Sequence, residues 1–141
     1  MSLSSASMVT RALGYSGLIP FVIPALLVLL QAPQAPLATA FADSYALAII
    51  CFLSGSWWGM AQASGVRATL WLSNAYLLVA LLLYLLASEW WPLAAALLLL
   101  GAWLGEQSNR LFPLFEPGYR RMRTILTLIA ATSMVIMQLA G

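Results

Sequence analysis

Few side chains here could do acid–base, nucleophilic or metal chemistry, and their types decide which chemistries are open. The sequence has no His and no Lys. Imidazole ligation of a metal or haem, imidazole base catalysis and Schiff-base chemistry therefore have no bearer. The acids are Asp43, Glu89, Glu106 and Glu116, and the cations are Arg11, Arg67, Arg110, Arg120, Arg121 and Arg123. No two acids are spaced as a convergent acid–base pair. The expectation is a non-enzyme with no catalytic residue, no metal site and no cofactor. Cys51 lies in an apolar run, cannot close an internal disulfide, and reads as a small hydrophobe rather than a reactive thiol.

Glu106 stands apart from the other acids. Counted from Trp91 at 1.5 Å per residue, it lies about 22 Å along an apolar helix, near one edge of a bilayer's hydrocarbon. Arg110, four residues on, can meet it on one helical face; Arg120 and Arg123 are the other possible partners. Two readings stay open, a structural ion pair or cap and a ligand or proton site. The candidate ligand or ion-pair set is Trp58, Trp103, Glu106, Arg110 and Arg123. In Tyr119-Arg-Arg-Met-Arg123 a second role suggests itself, with Arg120 and Arg121 attracting anionic lipid headgroups.

Those residues must be positioned by helices in lipid. The chain has 141 residues, of which 63% are hydrophobic and 7% charged, and its mean hydropathy is +0.94. An average soluble domain is about one-quarter charged, and so few charges cannot coat a water-facing surface. The net charge of +2 and the lack of a basic, aromatic-interleaved stripe argue against nucleic acid. Crossing about 30 Å of hydrocarbon takes about 20 apolar residues. Five runs qualify, near 12–30, 43–63, 69–87, 91–107 and 122–139, all continuously apolar rather than alternating. The expected fold is an all-α, five-span transmembrane bundle forming one domain over 1–141.

Punctuation agrees with that division. The polar 31–36 segment separates the first two runs, Ser64-Gly65 closes the second, and Pro92 opens the fourth. The 112–118 connection reads as a loop or as a re-entrant segment. Pro20 and Pro24 should kink the first helix and free carbonyls that neighbours must satisfy. Arg11 followed by an apolar stretch and Ala38-Thr-Ala40 also resembles a secretory signal, but the stretch is longer than most signal cores and reads as a first helix. Five spans put all six arginines on one side and Asp43 and Glu89 on the other. By the positive-inside rule the N-terminus is inside and the C-terminus outside.

Two helices share a Gly-x-Trp-x-Gly pattern, Gly55-Ser-Trp-Trp-Gly59 and Gly101-Ala-Trp-Leu-Gly105. Gly55, Gly59, Gly101 and Gly105 are expected to let another backbone come close, within the monomer or between molecules; a parallel repeat is a further reading. Trp57, Trp58 and Trp103 would fill grooves beside them or line a lipid or quinone cleft. Ser73, Asn74, Tyr84, Thr124, Thr127, Thr132, Ser133 and Gln138 read as helix glue, with Asn74 and Gln138 the members expected to reach another group.

Several segments together resemble a known family. They are Leu13-Gly-Tyr-Ser-Gly-Leu-Ile-Pro-Phe21, Tyr45 leading to Phe52-Leu-Ser-Gly-Ser-Trp-Trp-Gly59, and Tyr119-Arg-Arg-Met-Arg-Thr-Ile-Leu-Thr127 after an acidic helix end. The chain resembles the uncharacterised membrane family of domain of unknown function 3429, which takes in transmembrane protein 69-like proteins of mitochondria. The resemblance implies a small bacterial or mitochondrial inner-membrane protein and no particular activity. Members often carry His before the Trp-Gly pair, where this chain has Trp57, and Asp near the place of Glu106. The leading expectation is an accessory or assembly factor acting through helix and lipid contacts, as a homo-oligomer or inside a larger membrane complex. The alternative is a small binding or transport protein for a lipid, quinone or other amphiphile.

Overall fold

A proline sets the first break. In the computed structural model, which describes residues 3–113 and 117–141, α1 (Leu3–Ser16) gives way to α2 (Ile19–Leu29) just before Pro20. Pro20 has no N–H to donate to the preceding turn, and its ring crowds that turn's carbonyl. The bonding shifts: the Phe21 and Val22 N–H groups both donate to Leu18 O, at 3.0 and 2.9 Å. Gly17 O is left to accept from the Tyr45 hydroxyl at 3.0 Å. The freed carbonyl thus finds its donor on a neighbouring helix, as a segment in lipid requires. Pro24 sits buried inside α2, and the helix runs on through it.

The remaining elements are α3 (Ala35–Ser64), α4 (Arg67–Leu86), a 3-10 turn at Ser88–Trp90, α5 (Trp91–Glu106) and α6 (Pro117–Ala140). Among the described residues there is no strand. The α3 helix starts well before residue 43 because Pro36 occupies its first turn, where a missing N–H costs nothing. It ends at Gly65, whose φ of 74° is left-handed and whose N–H bonds Ala61 O at 2.8 Å. The α2 helix closes with the same device on a less suitable residue. Gln31 has a φ of 53°; its N–H bonds Val28 O at 3.1 Å and that of Ala32 bonds Leu27 O at 3.0 Å, the paired bonds of a Schellman cap.

Four segments are long and apolar enough to cross a membrane: Met8–Leu29, Ala35–Ser64, Arg67–Leu86 and Gly118–Ala140. The fifth run does form a helix, but α5 has 16 residues, about 24 Å at 1.5 Å per residue. Length alone therefore supports four spans where five were expected. Pro92 fixes the start of α5, and an arginine clamp described below stops its end. Even so, α5 fills a full place in the bundle. Following the chain, α2 packs on α3, α3 on α4, α4 on α5, α5 on α6, and α6 returns to α2; α3 and α5 also touch across the ring. Contacts give the directions. Trp91 reaches Asp43 and Trp57 reaches Glu106, so α3 and α5 run parallel. Leu93 meets Gln138 and Glu106 meets Arg123, so α5 and α6 run antiparallel.

The inside is built from small residues. Ala42, Ala46, Ala80 and Ala95 have no exposed surface, packed with Ile50, Trp57, Leu99 and Met134. The outside carries the large apolar side chains, among them Leu37, Phe52, Trp71, Leu86 and Leu104. Leucines outside and alanine, serine, threonine and a charge pair inside reverse the soluble pattern and match a protein whose surroundings are hydrocarbon. The centre of the 112–118 connection, with Glu116, lies outside the described residues.

The two left-handed positions predict opposite responses. Gln31→Gly should raise stability by about 1 kcal/mol, because glycine meets no Cβ penalty there. Gly65→Ala should lower it by a similar amount. Thermal unfolding of both variants in one detergent checks the pair.

Candidate functional site: a buried carboxylate and its guanidinium partners

Glu106 is the last residue of α5 and is 2% exposed. Its carboxylate is enclosed by donors: Trp57 Nε1 of α3 donates to Oε1 at 2.9 Å, and Arg123 Nε of α6 donates to Oε2 at 2.9 Å. Trp57, 1% exposed, is held edge-on to Tyr76 with ring centroids 5.1 Å apart and tilted against Phe112 at 5.2 Å. One carboxylate therefore ties three helices together. Taking two charges out of water is expensive, and the pair persists because each oxygen has a good donor.

Arg120 does a different job three residues earlier. Its Nη1 donates to Glu106 O, and its Nη2 donates to Asn109 Oδ1 and Phe112 O, both at 2.9 Å. A cation at a helix C-terminus meets the negative end of the dipole and satisfies carbonyls left without partners. This clamp ends α5 at Glu106 and folds the next residues back. Nearby, Thr69 of α4 donates to Leu111 O at 2.7 Å, and Trp103 Nε1 donates to Thr124 Oγ1 at 2.8 Å.

The expected site is thus rearranged. Glu106 and Arg123 do meet. Arg110 does not join them: the helix stops before it, so the four-residue helical spacing to Glu106 does not exist, and Arg110 is exposed. Among the described residues the one ion pair is Arg123–Glu106. Trp58 points away and is 46% exposed, while its neighbour Trp57 makes the contact. Trp103 is half-buried and bonds Thr124 rather than the carboxylate. Arg120 is taken up by the loop, which leaves Arg121, exposed, as the headgroup candidate. Asn74 bonds Leu70 O of its own helix. Gln138 does reach another segment, accepting from Leu93 N–H at 3.4 Å and donating to Glu89 O at 3.2 Å.

The glycines divide. At Gly55, Gly59 and Gly105 an added Cβ would meet nothing within 4 Å, whereas at Gly101 it would lie 2.7 Å from the Tyr76 hydroxyl. Of these four, Gly101 alone serves close approach inside the molecule. A signal for the inner face of α3 was present: Ala42, Ala46, Ile50, Leu53, Trp57 and Ala61 recur at helical spacing, and all are buried.

Two cavities flank the bundle's ends. One, of about 710 Å³, is lined by Asp43, Glu89, Thr39 and Gln138. The other, of about 400 Å³, lies between α1–α2, α3 and α6, near the arginine end. The six arginines share one end of the bundle with Glu106, opposite Asp43 and Glu89. Their relative placement matches the charge reading of the sequence, and no left-over acid among the described residues joins Glu106. There is no cluster of three metal-ligating side chains among them either.

Fold and site define a helical bundle, four of whose segments are long and apolar enough to cross a membrane, knitted at one end by a buried ion pair. The family model described as protein of unknown function DUF3429 matches residues 7–139, and the chain belongs to that family. No curated protein and no solved structure matches it.

The ion pair predicts a non-additive pair of mutations. Glu106→Leu or Arg123→Met alone should cost about 3–5 kcal/mol, because each leaves a buried charge uncompensated. Combining Glu106→Leu with Arg123→Met should recover most of that loss. Unfolding of the single and double variants in detergent reads the coupling. Separately, Gly101→Ala should cost about 1–3 kcal/mol by overpacking Tyr76, while Gly55→Ala should be neutral or raise stability by up to about 1 kcal/mol.

Proposed function

We propose that the chain is a five-pass inner-membrane protein that works without catalysis, as an accessory or assembly factor for another membrane protein. Five passes are supported by the ring, in which α5 runs parallel to α3 and antiparallel to α6 despite its short length. With that count, the shared end of the arginines reads as the cytoplasmic side, giving N-terminus inside and C-terminus outside. A bacterial inner membrane and kinship with the transmembrane protein 69-like proteins extend the family resemblance to this chain.

The observation that carries the accessory role is how the polar groups and the glycines are used. The Glu106 carboxylate is consumed internally, both of its oxygens being bonded, and Arg120 is clamped to the loop. Gly55 and Gly59, one turn apart on the exposed face of α3, meet nothing within the chain. Phe52 and Trp58 rise beside them, 71% and 46% exposed. A glycine notch between bulky side chains is the shape that lets a second transmembrane helix approach closely. The partner proposed is a helix of another membrane protein. Arg121, exposed next to the bilayer surface, adds lipid-headgroup attraction of about 1 kcal/mol.

Affinity purification from native membranes in mild detergent, followed by native mass spectrometry, tests this. The wild type should retain a defined membrane partner, and Gly55→Ile with Gly59→Ile should release it while leaving the melting temperature unchanged. A wild-type monomer free of any protein partner would overturn the reading.

A further inference from the structure

The smaller cavity contains an uncompensated cost. Its wall is largely apolar, with Leu13, Phe21, Ile49, Leu126 and Ala130 among its lining residues. Arg123 and Thr127 line it as well, one helical turn apart on α6 and 7% and 1% exposed. Each holds a buried atom without a hydrogen-bond partner, Arg123 Nη2 and Thr127 Oγ1. A threonine in a helix can ordinarily bond its own backbone one turn back; Ser54, Thr124 and Ser133 in this chain do so, and Thr127 does not. A guanidinium donor left unmet in an apolar wall is costlier still. Arg123 uses Nε on Glu106, so its unmet Nη2 is directed by a side chain already locked in place.

We propose that this cleft binds one single-chain amphiphile with an anionic carboxylate or phosphate head, whose oxygen accepts from Arg123 Nη2 and Thr127 Oγ1. The chemistry of each part follows from the wall. Guanidinium N–H groups only donate, so the ligand supplies an acceptor oxygen. Glu106 offsets the charge of Arg123, and exposed Arg121 stands at the same end, so the local field favours an anion. A volume of about 400 Å³ is near the lower end of ligand pockets, which suits one hydrocarbon chain rather than two. The site is separate from the Gly55–Gly59 face and does not depend on the accessory role.

The test uses the full chain in phosphatidylcholine nanodiscs with a photoactivatable diazirine derivative of palmitate, and the crosslinked residues are mapped by mass spectrometry. Labelling should fall on Phe21, Leu126 and Ala130. Unlabelled palmitate and palmitoyl lysophosphatidate should compete, the one effective at lower concentration identifying a free acid or a lipid headgroup as the source, while palmityl alcohol should compete at least tenfold more weakly. Thr127→Val should cut labelling roughly tenfold, the size of one lost hydrogen bond to a charged group, with the melting temperature unchanged or raised. Thr127→Ser should restore labelling. Labelling confined to the outer leucines, equal competition by the alcohol, or full labelling of Thr127→Val would each overturn the proposal.

Discussion

The buried Glu106 carboxylate is the constraint around which the molecule is arranged. Hydrocarbon offers helices little reason to associate, since lipid tails are as apolar as leucine. A carboxylate turned inward changes that, because it must be met by donors at fixed positions. Trp57 and Arg123 meet it from two other helices. The aromatic cluster of Trp57, Tyr76 and Phe112 then follows from holding the indole N–H at the right height. Tyr76 in turn explains why Gly101 has to be a glycine. One charge thereby sets the register of α3, α4, α5 and α6.

Around that anchor the packing is made by small residues. Alanines bring the backbones together, and short polar side chains bridge them, as where Ser73 of α4 donates to Ser54 O of α3 at 2.6 Å. Deviations from ideal helix are settled in the same way. The break before Pro20 is answered by Tyr45, and the end of α5 by Arg120. No freed carbonyl at these two places is left facing lipid. Four buried side-chain atoms are left without a partner, Asp43 Oδ1, Ser64 Oγ, Arg123 Nη2 and Thr127 Oγ1, and the last two share the cleft wall.

Much of the architecture was legible in the sequence because it depends on composition and on short-range signals. Apolar runs without alternation specify helices in lipid. Gly65 marks a helix end because its left-handed φ suits a residue without Cβ. Arginines on alternate loops predict a shared end. Legibility failed where a choice depended on helix rotation or on where a helix stops. Trp57 and Trp58 are adjacent, and only the rotation of α3 decides which faces the core. Arg110 looked like a partner for Glu106 on the assumption that the helix continues, and the Arg120 clamp, acting from a distant segment, ends it. The glycine pattern drew attention to positions that are open, while the alanine repeat at 42, 46 and 61 marked the real inner face. The cleft could not be read at all, because its wall combines residues from α1, α2, α3, α5 and α6.

The separation of Glu106 and Arg123 along the chain also bears on biogenesis. The carboxylate leaves the ribosome before the arginine that neutralises it, and it sits at the end of a helix of 16 residues. An acidic side chain deep in a nascent segment opposes partitioning into the bilayer from the translocon. The segment ending in Glu106 therefore gains little by entering alone. Pairing with Arg123 removes that opposition, so entry of α5 and α6 together as a hairpin is favoured over entry of α5 alone. Closure of the ring then waits on α6, which is made after α5 and packs back on α2.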